Sequence, residues 1–450
     1  SAPPSDRLMN RNFLLLWQGQ LVSRLGDQAF LIAMMFWTKQ ATGSSSIMGV
    51  LMMVSLLPAA LLSPLGGTFA DRHSRYWIIV GGDVLRGLAA VTLGVLMFVY
   101  PGETGWILIA LIAVTVNGGV VGSLFMPAIH ASLPDLVPRR KVATANSLNR
   151  LSSQGAVFLG QALGGVLYRL VGAPLLFLLD GVSFLLSALS EAFLRIPQKL
   201  PETADRRSRG WKGLLATYLL DTREGLSWVW RDGGMRTFLL TAAVLNFFFS
   251  PLMVLLPFYV TDLLGRGAEW YGFLLAALGA GSMVGYVAVG WYPPEGNARV
   301  KTTVGALMGT GLALGTVGLV ETGWLALLLF FGFGVLLGIV NILVFTLFQI
   351  ATPGEMRGRV MGLVMAMSTA MMPVGMAVSG LVGDLTGQNL LLIFGVSGAT
   401  VTAVSLWAAS RPPFRQFLRQ EMDSPPSPSP SPAPGDAPLT RAPSAIDPPS

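Results

Sequence analysis

Gly67-Thr-Phe-Ala-Asp-Arg-His-Ser-Arg75 sets two arginines, an aspartate and a histidine in one short turn. Uncharged sequence flanks it on both sides, Ser46 to Ala70 before it and Tyr76 to Gly82 after it. A polar turn between two membrane-length segments lies at a water interface. The positive-inside rule places its arginines on the cytoplasmic side. The chain therefore reads as an all-α membrane protein, and the rest of the sequence can be tested against that reading.

Composition agrees with it. Apolar residues make up 52% of the chain and charged residues 12%, with mean hydropathy +0.62. Soluble domains carry about 25% charged residues, so a soluble globule is excluded. At roughly 20 apolar residues per spanning helix, the 450 residues have room for a dozen spans. Uncharged or nearly uncharged runs fall near 12–38, 46–70, 76–99, 105–130, 143–171, 173–194, 236–263, 269–292, 301–320, 323–350, 358–386 and 388–409. They far exceed the ~10-residue alternating segments of a membrane barrel. Twelve helices in two six-helix halves are expected.

With the amino terminus inside, the inner loops hold Arg72 and Arg75, then Arg139, Arg140 and Lys141, then Arg299 and Lys301, then Arg357 and Arg359. The outer loops keep only Lys39, Arg169 and Arg266. That asymmetry predicts a multi-pass protein of a bacterial-type inner (plasma) membrane with both termini cytoplasmic. Residues 1–194 form the first half, 195–235 a basic cytoplasmic linker and 236–410 the second half. Within the linker, Trp211, Leu214, Leu215, Tyr218 and Leu219 recur at helical spacing and predict a helix lying on the inner surface. Residues 411–450 are expected to be a disordered tail, Pro/Ser-rich beyond Arg419. The first apolar run follows Arg7 and Arg11 and is long enough to stay as a span, so no cleavable signal is expected.

Several functions are set aside by what the chain lacks. There is no cysteine, and His73 and His130 alone make no histidine cluster, so no metal and no cofactor are expected. The net charge of +7 is distributed as membrane orientation requires, without the basic groove and stacking aromatics of nucleic-acid binding. No nucleophile–base constellation suggests an enzyme. The halves resemble one another: Pro134 to Val142 precedes the fifth span and Pro353 to Val360 the eleventh, each basic and then rich in small residues. Parallel halves with a site near the midplane are a transporter architecture.

Charged residues inside the spans are the candidates for chemistry, since a central Arg or Asp costs about +2.5 to +3.5 kcal/mol on insertion scales. Arg24 and Asp27 share a face of the first span. Asp27 is expected to take and release a proton while Arg24 holds it ionised between times; the plainer alternative is a permanent ion pair that orients the helix. Asp180 in the sixth span is a second titratable candidate, or a hydrogen-bonding group at a packing contact. Asp83 and Arg86 repeat the same spacing in the third span and are read with the inner gate. Glu191, near the inner end of the sixth span, is expected to reach water. Asp262 and Asp384 close outer ends and are read as partners of Lys39, Arg169 or Arg266. Candidate cavity residues are Gln20, Gln28, Asn117, Gln154, Asn246 and Asn341, with Met34, Met365 and Phe247 as adaptable apolar lining.

The turn at 67–75 matches the loop pattern G-x-x-x-D-R-x-x-R of the major facilitator superfamily. Gly155-Ala-Val-Phe-Leu-Gly160-Gln-Ala-Leu-Gly164-Gly165 resembles that superfamily's antiporter motif ending G-P-x-x-G-G, with Gln161 in the proline's place. Gln20-Leu-Val-Ser-Arg-Leu-Gly-Asp27, Phe177-Leu-Leu-Asp-Gly-Val-Ser-Phe184 and Met356-Arg-Gly-Arg-Val360 resemble the macrolide-efflux and enterobactin-exporter branch of drug–proton antiporters. The likeness covers nearly all of residues 10–410. It implies a monomeric secondary transporter that exports amphipathic or lipophilic small molecules against protons by alternating access. It also implies an inner gate of Gly67, Asp71, Arg72 and Arg75 with Asp83, Arg86 and Glu355, and a sealing helix around Gly160, Gln161, Gly164 and Gly165. The fourth span, Ile107 to His130, lacks the arginine that many proton antiporters carry there, which moves the expected coupling onto Asp27. A lysophospholipid or lipid flippase of the same fold, and a transport-incompetent membrane receptor or sensor, are the alternatives.

Overall fold

The computed structural model describes residues 8–196, 227, 230–351 and 357–419, with the side chains of 63–65, 68, 71, 349–351 and 357–365 outside that description. The described residues are all-α. α1 (Arg11–Thr42), α2 (Ser45–Arg72), α3 (Arg75–Val99) and α4 (Thr104–Leu136) come first. A 3-10 turn, Arg139–Lys141, then leads into one run, Val142–Glu191. That run is two helices, α5 (142–171) and α6 (173–191), because Gly172 between them has φ 73° and ψ 172°. Only glycine adopts that conformation without strain, so the chain turns there.

α7 (Gly233–Phe258) continues through a π-helical turn at Tyr259–Leu263 into α8 (Glu269–Trp291), α9 (Gly296–Thr316) and α10 (Gly323–Ala351). α11 (Arg357–Leu385), α12 (Leu390–Ser410) and the short α13 (Pro412–Arg419) complete the series. Among the described residues ten runs are long and apolar enough to cross a membrane, with α5 and α6 counted as one. α1 is equally long, but Arg24, Asp27 and four glutamines lower its hydropathy. The twelve expected spans are therefore present in their expected order.

Two expectations need correction. α4 does not end at His130 but continues to Leu136 with Pro127 and Pro134 inside it. The segment expected to be disordered from 411 begins with α13, because Phe414, Phe417 and Leu418 are buried against α7 and Phe348. The Pro/Ser-rich sequence beyond Arg419 and the linker helix expected around 211–219 lie outside the described residues, as does Glu355.

Local sequence explains the short connections. Asn10 caps α1 by accepting from the Phe13 amide at 2.9 Å, and Gly43, at φ 63°, ends it with its N–H on the Lys39 carbonyl. Ser44 then caps α2 through the Ile47 amide. Only His73 and Ser74 separate α2 from α3, so the polar turn at 67–75 is mostly the end of one helix and the start of the next.

In the first half α1 lies between α5 and α6, α3 packs on α6, and α2 packs on α4. In the second, α7 packs on α11 and α12, α8 on α10, and α9 on α12. The halves meet along α2–α11 and α5–α8. These contacts gather at the end where α1 finishes and α2 begins. Lys39 pairs with Asp262 at 2.5 Å and Arg169 with Glu269 at 2.9 Å. Asp384 of α11 receives the Ser45 and Ser46 amides at 2.8 and 3.0 Å, together with the Ser44 and Ser45 hydroxyls, and so caps α2 from the other half. A methyl group built on Gly49 would stand 3.1 Å from Gly380 Cα and overlap the Met376 carbonyl.

Backbone on backbone leaves no side chain to yield. Gly380→Val should destabilise this closed end by about 1–3 kcal/mol. The chain has no native cysteine, so spin labels on Glu103→Cys and Thr322→Cys report the separation of the halves directly. Their distance distribution should shift toward longer separations in Gly380→Val; an unchanged distribution would show that the α2–α11 contact is not what holds this end.

Candidate functional site

The intramembrane charges collect in the first half, where α1 is squeezed between α5 and α6. Glycines permit the approach. A Cβ on Gly19 would stand 2.7 Å from Ser187 Oγ, one on Gly26 2.7 Å from Ser183 Oγ, and one on Gly160 2.6 Å from Gln28 Cβ. The polar residues of α1 are thereby pressed against a stripe on α6 made of Asp180, Ser183, Ser187 and Glu191.

Arg24 is buried and gives a hydrogen bond from Nη1 to Asn149 of α5 at 3.1 Å, not to Asp27. Asp27 is exposed although it lies midway along α1, with Arg24, Arg86 and Asp180 in electrostatic range. An exposed carboxylate at that depth borders an opening in the bundle. Arg86 holds its guanidinium over the Phe125 and Phe184 rings, 4.7 and 5.5 Å from their centroids. Asp83 and Glu191 are both 0% exposed, and Gln20 donates to Glu191 Oε1 at 3.0 Å.

Asp83 and Arg86 thus sit among α1, α4 and α6. Of the other gate residues, Arg75 bonds the Asp135 carboxylate at 2.7 Å and the Ala131 carbonyl at 2.9 Å on α4. Gly67 and Arg72 lie half-buried on the last turns of α2, while the Asp71 side chain lies outside the described residues. Of the antiporter-like residues, Gly160 and Gly164 meet α1 at Gln28 and Ile32, whereas Gly165 meets the α8 backbone at Ala268 and Glu269. Gln161 donates to Gln28 at 3.4 Å.

The second half contains a cavity of about 590 Å³ between α7, α9 and α10, with no charged residue in its lining. Phe238, Phe249, Phe333, Phe345 and Phe348 supply aromatic walls, and Asn246 and Asn341 supply amides. Asn246 spends its N–H on the Ala242 carbonyl, which leaves its oxygen to the cavity; Asn341 is exposed. The remaining expected lining is elsewhere. Phe247 stacks edge-on against Phe248, Gln154 is exposed on α5, and Asn117 reaches the Leu85 carbonyl at 3.4 Å. Gln20 is buried in the charged cluster. Met34 is 1% exposed in the core, with its sulfur against Thr115 of α4. The Met365 side chain lies outside the described residues.

Glu191 and Ser187 belong to the charged cluster although Glu191 was expected at water. The signal was present: Asp180, Ser183, Ser187 and Glu191 recur every three or four residues, one polar stripe along an otherwise apolar helix. Among the described residues no group of three or more acidic, histidine or cysteine side chains is arranged to hold a metal ion.

The sequence profile of the Major Facilitator Superfamily matches residues 16–376. Macrolide efflux protein A of Streptococcus pyogenes is 23% identical over 404 residues, 88% of this chain and 94% of that protein. Multidrug efflux pump Tap of Mycobacterium tuberculosis (strain ATCC 25618 / H37Rv) is 23% identical over 384 residues, covering 84% and 88%. Among solved structures, an inward-facing bacterial homologue of the iron transporter ferroportin superposes with TM-score 0.66 at 19% identity, covering 90% of this chain and all of that one. An inward-facing bacterial homologue of the human lysosomal transporter Spinster gives TM-score 0.59 at 15% identity, covering 93% and 94%. At these identities the structures establish the fold alone.

Removing the donor from a buried carboxylate leaves an unsatisfied group that costs about 1–3 kcal/mol. Gln20→Leu should lower the thermal midpoint of the purified protein by several degrees. Gln154→Leu, at an exposed position, should leave it within a degree. Equal midpoints for the two variants would argue that Gln20 does not serve Glu191.

Proposed function

The chain belongs to the Major Facilitator Superfamily, and from that premise we propose that it exports amphipathic or lipophilic small molecules in exchange for protons. As a member of that family it is a multi-pass transporter rather than an enzyme, moving small molecules by alternating access. The finer reading rests on one observation above the others. The first half presents an exposed carboxylate, Asp27, in mid-span, while the second half presents a large neutral cavity walled by phenylalanines. A mobile charge and an apolar pocket are what coupling and binding separately require. The names of the macrolide and multidrug efflux relatives support the substrate class.

In this reading the arginine-rich loops face the cytoplasm, so the end joined by Lys39–Asp262, Arg169–Glu269 and Asp384 is the outer gate, closed here. The protein then stands open to the inside. A lipophilic substrate enters from that side, and its apolar body settles among Phe249, Phe333, Phe345 and Phe348. Asn246 and Asn341 meet its few polar groups.

The halves rock, the outer pairs separate, and the inner turn closes, with Arg72 and Arg75 free to exchange their present partners for groups of the second half. Substrate leaves outward. A proton from outside reaches Asp27, beside which Arg24 and Arg86 supply positive charge, and returns with the carrier to the inside.

The decisive test is export from proteoliposomes of a macrolide and a lipophilic dye, with and without an imposed pH gradient. Asp27→Asn should abolish gradient-driven export while equilibrium binding of the same compounds persists. Export by Asp27→Asn that still follows the gradient would refute the role given to Asp27. Transport of a fluorescent lysophospholipid independent of the gradient would favour a lipid flippase.

A further inference from the structure

We propose that Asp83 and Glu191 hold one proton between them, which makes the contact of α3 with α6 a proton-binding site separate from Asp27.

Both side chains are 0% exposed. Glu191 Oε1 accepts from Gln20, but Glu191 Oε2 and both Asp83 oxygens are buried without a hydrogen-bond partner among the described residues. The two carboxyl groups lie within reach of each other, and Ser187, whose hydroxyl is likewise buried and without a partner, lies beside both. Ionised carboxylates can only accept. Two of them facing each other away from water are each left unsatisfied and repel, a costly arrangement in a buried site. One proton resolves it. The protonated carboxyl donates O–H to the other, and Ser187 is free to donate to a remaining oxygen.

The surrounding charges do not offer another solution. From α1 the site faces Asp27, with Arg24 beside that residue; from α3 it faces Arg86, and from α6 Asp180. Arg24 is committed to Asn149, and Arg86 lies between Phe125 and Phe184. Neither donates a hydrogen bond to Asp83. His130 of α4 and the exposed Arg150 of α5 stand near Arg24. Four carboxyl groups (Asp27, Asp83, Asp180 and Glu191) thus meet two buried or half-buried guanidiniums, Arg24 and Arg86, and the proton shared by Asp83 and Glu191 removes one of the two excess negative charges. A cation would need three or more ligating groups in one place, and the described residues do not assemble them.

The site also has a connection. Asp180, within electrostatic range of Asp27, begins the α6 stripe that Ser183 and Ser187 continue to Glu191. Gly26 and Gly19 of α1 sit against the Asp180–Ser183 and Ser187–Glu191 ends of it. Only the use of this proton in transport rests on the antiport reading; its presence does not.

The test is infrared spectroscopy of the full chain in lipid, in H2O and D2O, in the carbonyl-stretch region of protonated carboxyl groups. A band that shifts in D2O should be present in the wild type, persist in Asp27→Asn, and disappear in both Glu191→Gln and Asp83→Asn. Each amide can donate to the carboxylate left behind, so both variants should fold, and either one alone suffices to read the band. A band that survives both substitutions, or one lost in Asp27→Asn alone, would overturn the proposal. If the band behaves as expected while Asp27→Asn still exports along the gradient, the shared proton stands and the coupling role of Asp27 falls. If the band fails while Asp27→Asn loses coupling, the reverse holds.

Discussion

The close seating of α1 between α5 and α6 is the constraint on which the rest of the molecule depends. In a bilayer the lipid tails are as apolar as leucine, so helices associate by van der Waals fit and polar contact rather than by escape from water. Gly19 and Gly26 on α1, and Gly160 and Gly164 on α5, remove the side chains that would hold the helices apart. Approach at that distance turns Gln20 and Arg24 from insertion liabilities into partners of Glu191 on the α6 stripe and of Asn149. The charges are thus not decoration on a bundle built by other means. A polar group whose partner stands on the neighbouring helix fixes rotation and register together, which apolar packing alone leaves loose.

The same device recurs between the halves for a different purpose. At the α2–α11 crossing Gly49 and Gly380 bring backbone to backbone, and Asp384 reaches over to cap a helix of the other half. Within the first half the close packing buries Gly19, Gly160 and Gly164. Between the halves it ends in exposed ion pairs, Arg169 at 69% side-chain exposure and Asp262 at 48%. Exposed pairs contribute little individually. An interface made of shape complementarity plus weak pairs can come apart and re-form as a unit, as a gate must.

Much of this was legible in the sequence because length and hydropathy are one-dimensional properties. The twelve spans, the turn at 67–75 and the Gly172 break all follow from them. What could not be read is rotation about the helix axes. Three residues on a helix leave Arg24 and Asp27 about 60° apart, close enough to share a face. On a helix clasped between two neighbours that angle suffices to send Arg24 to Asn149 and leave Asp27 at the opening. Met34 looked like pocket lining by residue type, yet it is buried in the core with its sulfur against Thr115 of α4. Glu191 looked free to reach water, but α1 and α3 cover the last turn of α6 and Gln20 supplies its donor. In each case the missing information was which neighbour the side chain faces.

The proposed division of labour between the halves follows from the same physics. A titratable group works only where its charge can be stabilised by other charges and by water, and the first half provides Arg24, Arg86 and an opening beside Asp27. An adaptable apolar pocket works only where no buried charge demands a partner, and the cavity of the second half is lined without any. Placing both in one half would set the two requirements against each other. In the proposed exchange, placing them in different halves makes the relative motion of the halves the link between proton and substrate, and that motion works through the crossings at Gly49–Gly380 and Gly165–Ala268 rather than through contact between the two ligands.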